Sequence, residues 1–427
     1  MKKKIMTGLV ALLLLVTSIT MTSCAGLQDS LQYYQSMTES SGSLFGSSNS
    51  SGGSTAYVPP SGDTYNNTII IEGGSGTDIS FAAAAGLRSS VSVWCSFPSS
   101  GSIFGSINSS AGSGVIYSLD AEKGSAFIIT NFHVVYNKNS SSKISEDIKI
   151  YLYGMENADY AIPATYVGGS MYYDIAVLRI ESNYLLQQSA KRGSVCAATF
   201  ANSDSVTVGQ TAIAIGNPEA YGISVTTGIV SVDSEYIPMT ASDGVSRVEL
   251  RVIRIDSAVN SGNSGGGLFN GKGEIIGIVN AKIMSSDVEN IGFAIPSNVA
   301  RAIADNIIDY CYGKECKTVM RGLMGITLAL RSAYTEYDTE TGALVRFEEI
   351  GVAKIEEDGL AKGVLEVGDI IKSVSVGERT VTVTRQHHLI DFMLDVRVGD
   401  TVNITVLRNG AEITLSTVIT EDCLAAY

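Results

Sequence analysis

Between Ser90 and Ile295 the chain repeats one pattern, short runs of β-branched and other apolar residues broken by Gly, Ser, Asn and Asp. The runs are Val91–Phe97, Gly114–Tyr117, Ala126–Thr130, Ile148–Tyr153, Ile175–Ile180, Thr211–Ile215, Val225–Val232, Val248–Ile255, Ile275–Val279 and Gly292–Ile295. Strands this short, with turn residues between them, satisfy their backbone hydrogen bonds by folding back on one another. That restricts the segment to a sandwich or a barrel. One convincing helical period follows Pro296-Ser297, where Val299, Ile303, Ile307 and Ile308 recur within Asn298 to Cys311 and predict a helix that closes the block. A short Ala-rich helix is expected ahead of it, around Phe81 to Leu87.

The rest of the chain differs on both sides. Met1-Lys2-Lys3-Lys4, the apolar run Ile5 to Met21 and Thr22-Ser23-Cys24-Ala25-Gly26 read as a secretory signal over residues 1–23. Met21-Thr22-Ser23-Cys24 resembles a bacterial lipobox, which implies cleavage before Cys24 and a diacylglycerol on its thiol. The rival reading, an uncleaved anchor helix, has a run shorter than the ~20 residues that span a bilayer. Residues 24–78 then form a tether, Ser- and Gly-rich from about Met37 to Asn67, with a stray strand expected at Thr68 to Glu72. At the other end, strands mix with one helix around Gln386 to Val396. A boundary near Gly313 to Lys317 therefore separates a domain at 79–317 from one at 318–427. With 45% hydrophobic residues the chain has material for more than one core, and its net charge of -14 argues against a nucleic-acid partner, which needs a basic face.

Three stretches within the β-rich block carry chemistry: Thr130-Asn131-Phe132-His133-Val134-Val135, Tyr173-Asp174-Ile175-Ala176-Val177-Leu178 and Gly262-Asn263-Ser264-Gly265-Gly266. A serine hydroxyl is a weak nucleophile until an imidazole takes its proton, and the imidazole needs a carboxylate to hold its tautomer and steady its charge. Singly, each stretch has a plainer reading: a core histidine, a strand cap, a loop. Together, His133, Asp174 and Ser264 supply the three groups in one workable order. The tight turn at Gly262 to Ser264 can aim the N–H groups of Gly262 and Ser264 at a developing oxyanion, worth roughly 3 kcal/mol per donor.

These stretches, with Gly112-Ser113-Gly114-Val115-Ile116, Asp256 to Leu268 and Gly292-Phe293-Ala294-Ile295-Pro296, resemble the trypsin-like domain of the bacterial HtrA (Deg) serine proteases over about Ile79 to Lys317. The resemblance implies a mainly β fold with a chymotrypsin-like double β-barrel. It also implies a catalytic triad of His133, Asp174 and Ser264 and an oxyanion hole at Gly262, Asn263 and Ser264. Two positions depart from the family: Phe132 stands where Asn is usual, and Gly267 where Pro is usual, which is expected to loosen the loop behind the serine. The base of the primary pocket, six residues before the nucleophile, falls on Ala258, with Val259 beside it. With no carboxylate there, the pocket is expected to take small or medium aliphatic side chains, unless both residues simply pack under the loop.

Arg321-Gly322-Leu323-Met324-Gly325-Ile326, Gly359 to Ile371 and Val398 to Gly410 resemble a PDZ domain of the same family, a small α/β fold over about Val319 to Thr420. Gly325 would present backbone N–H groups to a peptide's terminal carboxylate, Leu323, Met324 and Ile326 would line the pocket for its last side chain, and Ile326 to Leu330 would pair with its backbone. The resemblance implies an endopeptidase acting on unfolded or misfolded envelope polypeptides, C-terminal peptides as PDZ ligands, and a trimer, while the basic start, apolar run and Cys24 predict that it is extracytoplasmic and lipid-anchored. The alternatives are a non-proteolytic PDZ chaperone or sensor and a site-specific sheddase of a membrane partner. No cofactor and no metal are expected, and His387-His388 reads as a groove-edge or solvent-facing pair, since neighbours on a helix do not share a face. Apart from Cys24, the cysteines are Cys95, Cys196, Cys311, Cys316 and Cys423; Cys311 and Cys316 either close a small disulfide or stay free.

Overall fold

The computed structural model describes residues 79–98, 107–218, 222–283, 291–340, 342–357 and 359–427; the signal, Cys24, the tether and the Thr68 to Glu72 run lie outside the described residues. After helix α1 (Ser80–Leu87), six strands, β1 (Ser90–Pro98), β2 (Ile107–Asp120), β3 (Ser125–Thr130), β4 (Asp147–Leu152), β5 (Ile162–Ser170) and β6 (Ile175–Ile180), close into a barrel in the order β1-β2-β3-β6-β5-β4. Within it, α2 (Phe132–Val135) is a single turn after β3, and α3 (Tyr184–Lys191) follows β6. A second closed barrel, in the order β10-β11-β12-β9-β8-β7, comprises β7 (Thr211–Gly216), β8 (Ser224–Thr240), β9 (Arg247–Ile255), β10 (Gly267–Phe269), β11 (Ile275–Val279) and β12 (Gly292–Pro296).

Apolar runs without alternation arise because these strands are buried on both faces. In β3, Ile128 points into the first barrel's core with Val93, Ile150 and Leu178. Its neighbour Ile129 points out into a second core with Val115, Val177, Ile213, Ile215 and Ile278. Helix α4 (Ser297–Cys311) buries Val299, Ile303 and Ile307 in that outer core, so it clamps the barrels as its sequence period predicted. Strand β5 and helix α3 are among the elements that were not legible. Strand β5 carries Pro163 and the pair Gly168-Gly169, which mask its strand character, and α3 is short, its start marked only by Asn183, whose side chain accepts the Leu186 N–H.

Beyond α4 the chain turns at Gly313 (φ +71) and Lys317 places its carbonyl on the Gly169 N–H at 3.0 Å. The C-terminal sheet runs β14-β15-β16-β18-β19, from β14 (Ile326–Tyr337), β15 (Leu344–Ile355), β16 (Ile370–Val376), β18 (Thr401–Arg408) and β19 (Ala411–Val418). Strand β17 (Arg379–Thr382) pairs with β16, and β13 (Met320–Gly322) with β20 (Leu424–Ala426). Helix α5 (Gln386–Asp395) covers this sheet with Leu389, Phe392 and Met393, over Ile350, Val374 and Ile404. The mainly β architecture, two barrels followed by a small α/β domain, is the one the sequence implied.

Candidate active site

His133 sits in the turn α2, directly after β3, and Asp174 ends the turn that leads into β6, so neighbouring strands deliver both. Asp174 is 1% exposed and takes positive φ, +53°, a strained conformation for a residue with a side chain. Five hydrogen bonds hold it there. Oδ1 accepts the His133 N–H at 3.0 Å, and Oδ2 faces His133 Nδ1 at 2.7 Å and accepts Asn280 Nδ2 at 2.8 Å. The Asp174 carbonyl accepts Asn131 Nδ2 at 2.9 Å and the Phe132 N–H at 3.1 Å. A carboxylate fixed this way leaves His133 with Nδ1 as donor and Nε2 as the basic nitrogen.

Ser264 is buried on the turn before β10, and its Oγ accepts the Ala281 N–H at 3.1 Å. Asn280 and Ala281 are consecutive, so just past the end of β11 one side-chain amide grips the carboxylate and the next backbone N–H grips the serine. Among the described residues no hydrogen bond joins Ser264 Oγ to His133; of the three groups expected to form a triad, His133 and Asp174 are coupled and Ser264 Oγ is held by the Ala281 N–H.

The turn itself is built on close approach. Gly262 takes φ +96 and Gly265 φ +86, and a Cβ on Gly265 would lie 2.2 Å from the Ser113 carbonyl. Asn263 N–H is spent on the Asn260 carbonyl at 3.0 Å, which removes it as an oxyanion donor, whereas the N–H groups of Gly262 and Ser264 bond no described residue. Of the three residues expected at an oxyanion hole, Gly262 and Ser264, the two expected donors, thus keep N–H groups without a partner among the described residues. Ser113, on β2, stitches this turn to the first barrel: its N–H donates to the Ser264 carbonyl at 2.8 Å, its Oγ donates to the Gly262 carbonyl at 2.7 Å and accepts the Asn217 N–H at 2.8 Å. Sequence reasoning gave Ser113 and Asn280 no role; the glycines around Ser113, which admit close backbone approach, were the available signal.

The departures from the family pattern have local compensations. Phe132 stacks on Tyr136 with centroids 5.3 Å apart, and Gly169 makes room for its ring. Gly267 does not loosen the loop: it is paired within β10, and the rings and methyls of Phe269 and Ile275 occupy the space a side chain would need. Of the pocket candidates, Val259 is buried against Gly292 and Ile255, while Ala258 is exposed and its carbonyl accepts Thr226 Oγ1 at 2.7 Å.

On the C-terminal domain, a groove of about 450 Å³ runs between β14, the edge strand of its sheet, and α5, and Leu323, Met324, Gly325 and Ile326 border it. Gly325 has φ +68, and a Cβ there would lie 2.4 Å from Gly359 Cα. Met324 is 5% exposed and part of the domain core, whereas Leu323 stays exposed at the mouth. Arg321, next to this loop, donates from Nη1 to the Tyr173 hydroxyl at 3.0 Å, one residue before Asp174.

The His387-His388 expectation is corrected. His387 is 4% exposed with Nε2 3.6 Å from Asp204 Oδ1 in the two-barrel block, and burial pushes its pKa down to about 3. The two rings meet edge to face at 4.6 Å, and with Asp204 their ligand atoms lie within 4.8 Å of one another. Asp204 also binds the Arg251 guanidinium at 3.2 Å, so a cation at this cluster would face a fixed positive charge. The cluster is read as part of an ion-pair seam.

A trypsin-like peptidase domain model matches residues 112–278 and a PDZ domain model matches residues 322–419. The chain is 32% identical to the serine protease Do-like HtrA of Lactococcus lactis subsp. cremoris over 316 residues, 72% of this chain and 70% of that one. It is 34% identical to the periplasmic pH-dependent serine endoprotease DegQ of Escherichia coli over 313 residues, 72% of this chain and 59% of that one. A solved structure of the HtrA-type protease AlgW with a tripeptide superposes with TM-score 0.51 and 27% identity over 82% of this chain and 97% of that one.

Proposed function

The chain belongs to the HtrA family of trypsin-like serine proteases, and on that premise we propose that it is an exported endopeptidase that cleaves unfolded or misfolded envelope proteins under the control of its PDZ domain. Ser264 is the nucleophile, His133 the base and Asp174 its anchor. In the reaction Ser264 Oγ leaves the Ala281 N–H, gives its proton to His133 Nε2 and attacks the scissile carbonyl, and the oxyanion settles on the N–H groups of Gly262 and Ser264. His133 then protonates the leaving amine, and water repeats the sequence to release the acyl group. The observation that carries this reading is the consecutive pair Asn280 and Ala281, whose side-chain amide holds the Asp174 carboxylate that faces His133 and whose backbone N–H holds Ser264 Oγ. The pocket at Ala258 and Val259 takes a small or medium aliphatic side chain, and the groove at Leu323 to Ile326 takes a C-terminal peptide.

Export rests on the signal-like start, and the periplasmic DegQ relative supports an extracytoplasmic site. Cys24 carries the lipid anchor, the Ser/Gly-rich segment holds the protease off the membrane, and the working form is a trimer. Among the described residues no helix is long and apolar enough to cross a membrane. Casein digestion tests the catalytic part: Ser264→Ala should lower the rate by about 10⁴-fold or more, and equal digestion by both proteins would refute it. Replacing Cys24 by Ala should abolish palmitate labelling; equal labelling would refute the anchor.

A further inference from the structure

We infer that Cys311 and Cys316 form a disulfide that fastens the junction between the protease block and the PDZ domain. Their Sγ atoms lie 3.1 Å apart and both thiols point at one acceptor, the Thr318 carbonyl, at 3.3 and 3.2 Å. Bonding requires the sulfurs to approach by about 1 Å, to ~2.05 Å. The backbone is already turned for it: Gly313 takes φ +71 and the Lys314 N–H donates to the Cys311 carbonyl at 3.0 Å. Cys311, the last residue of α4, is fully buried in the outer core, while Cys316 is only partly buried and accessible to a reagent. Burial pushes the Cys311 thiol up to about 12, which disfavours it as the thiol that attacks first.

The chemistry is thiol–disulfide exchange with a small-molecule or protein disulfide. Cys316 thiolate attacks one sulfur of the oxidant and expels a thiolate. Cys311, losing its proton, then attacks Cys316 Sγ in the mixed disulfide and expels the second thiolate. Two cysteines are oxidised, one external disulfide is reduced to two thiols, and the two protein protons pass to those thiols. The closed loop is short and it sits where it matters: Lys317, next to Cys316, holds Gly169 on β5, which leads into the turn bearing Asp174. Cys95, buried in the first barrel, and Cys423, whose Sγ donates to the Thr420 carbonyl, sit in other parts of the fold.

Occurrence in the cell rests on the export proposed above, but pairing itself can be read in vitro. The purified full chain is incubated with oxidised glutathione, alkylated under denaturing conditions without reductant, and digested with trypsin, which cuts after Arg301, Lys314 and Lys317. Because Lys314 lies between the two cysteines, peptides 302–314 and 315–317 stay joined only through sulfur. The expected result is one linked species, split by dithiothreitol and absent from Cys316→Ser. Both peptides alkylated in the unreduced sample, or Cys316 joined to Cys196 or Cys423, would overturn the assignment. Linkage in vitro with free thiols in protein taken from cells would leave the pairing standing and count against export.

Discussion

Asp174 is the residue on which the site's geometry turns, because a buried carboxylate at positive φ keeps its place only through the five bonds it receives. Asp174→Asn presents an amide N–H to His133 and favours the wrong tautomer, so kcat should fall by about 10⁴-fold with little change in KM. Ser113→Ala leaves the Gly262 carbonyl and the Asn217 N–H without their partner, and the donor turn loses its tie to the first barrel. Its expected cost is about 10- to 100-fold in kcat, with the unfolding midpoint moved far less; a change in midpoint without a change in kcat would make the residue structural only. The three residues proposed to react stood out in the sequence because the chemistry proposed for them admits few substitutes. Ser113 and Asn280 did not, because a serine bonded to backbone groups and an asparagine bonded to a carboxylate over a hundred residues away carry no pattern until distant strands meet.

At the scale of elements, strands with uninterrupted apolar runs declared themselves, and those such as β5, whose glycines make room for Phe132 and receive Lys317, did not. The PDZ loop was legible through Gly325, whose φ no residue with a side chain adopts cheaply. A peptide ending in an apolar residue should bind this groove, and amidating its C-terminus should weaken it at least about 10-fold by removing the recognised charge. Calorimetry giving equal affinities would refute carboxylate capture. Within the same domain Asp369 is 2% exposed and is gripped by Arg408 through Nε and Nη2, both at 2.7 Å. The hydrogen bond from Arg408 holds its pKa below the usual carboxylate range. The folded form therefore binds fewer protons than the unfolded chain, so the stabilisation is complete above about pH 4 and is lost as the pH falls below it. Asp369→Asn should lower the urea midpoint at pH 7 and flatten its decline in acid.

Across the whole molecule the two functional blocks meet at charge. Arg251, 5% exposed on β9, bonds Asp204 in the protease block and Asp391 on α5, while Arg385 pairs with Asp233 and Arg397 with Asp309. Burial pushes Asp391 up to about 6, against the lowering effect of Arg251. Arg251→Met strands two carboxylates and should cost about 3 kcal/mol at pH 7. Since Asp391 takes a proton below about 6, that loss should shrink between pH 7 and 5; a loss independent of pH would contradict the role given to Asp391. None of this seam was visible in the sequence, where its charges stand far apart and read as solvated surface.

Activation of Ser264 by His133 can be read with an organofluorophosphonate, which phosphonylates an activated serine. One adduct per chain is expected, on the tryptic peptide containing Ser264, with casein digestion lost in proportion and labelling abolished in His133→Ala. Digestion that continues while Ser264 is fully labelled, or a label on another serine, would contradict it.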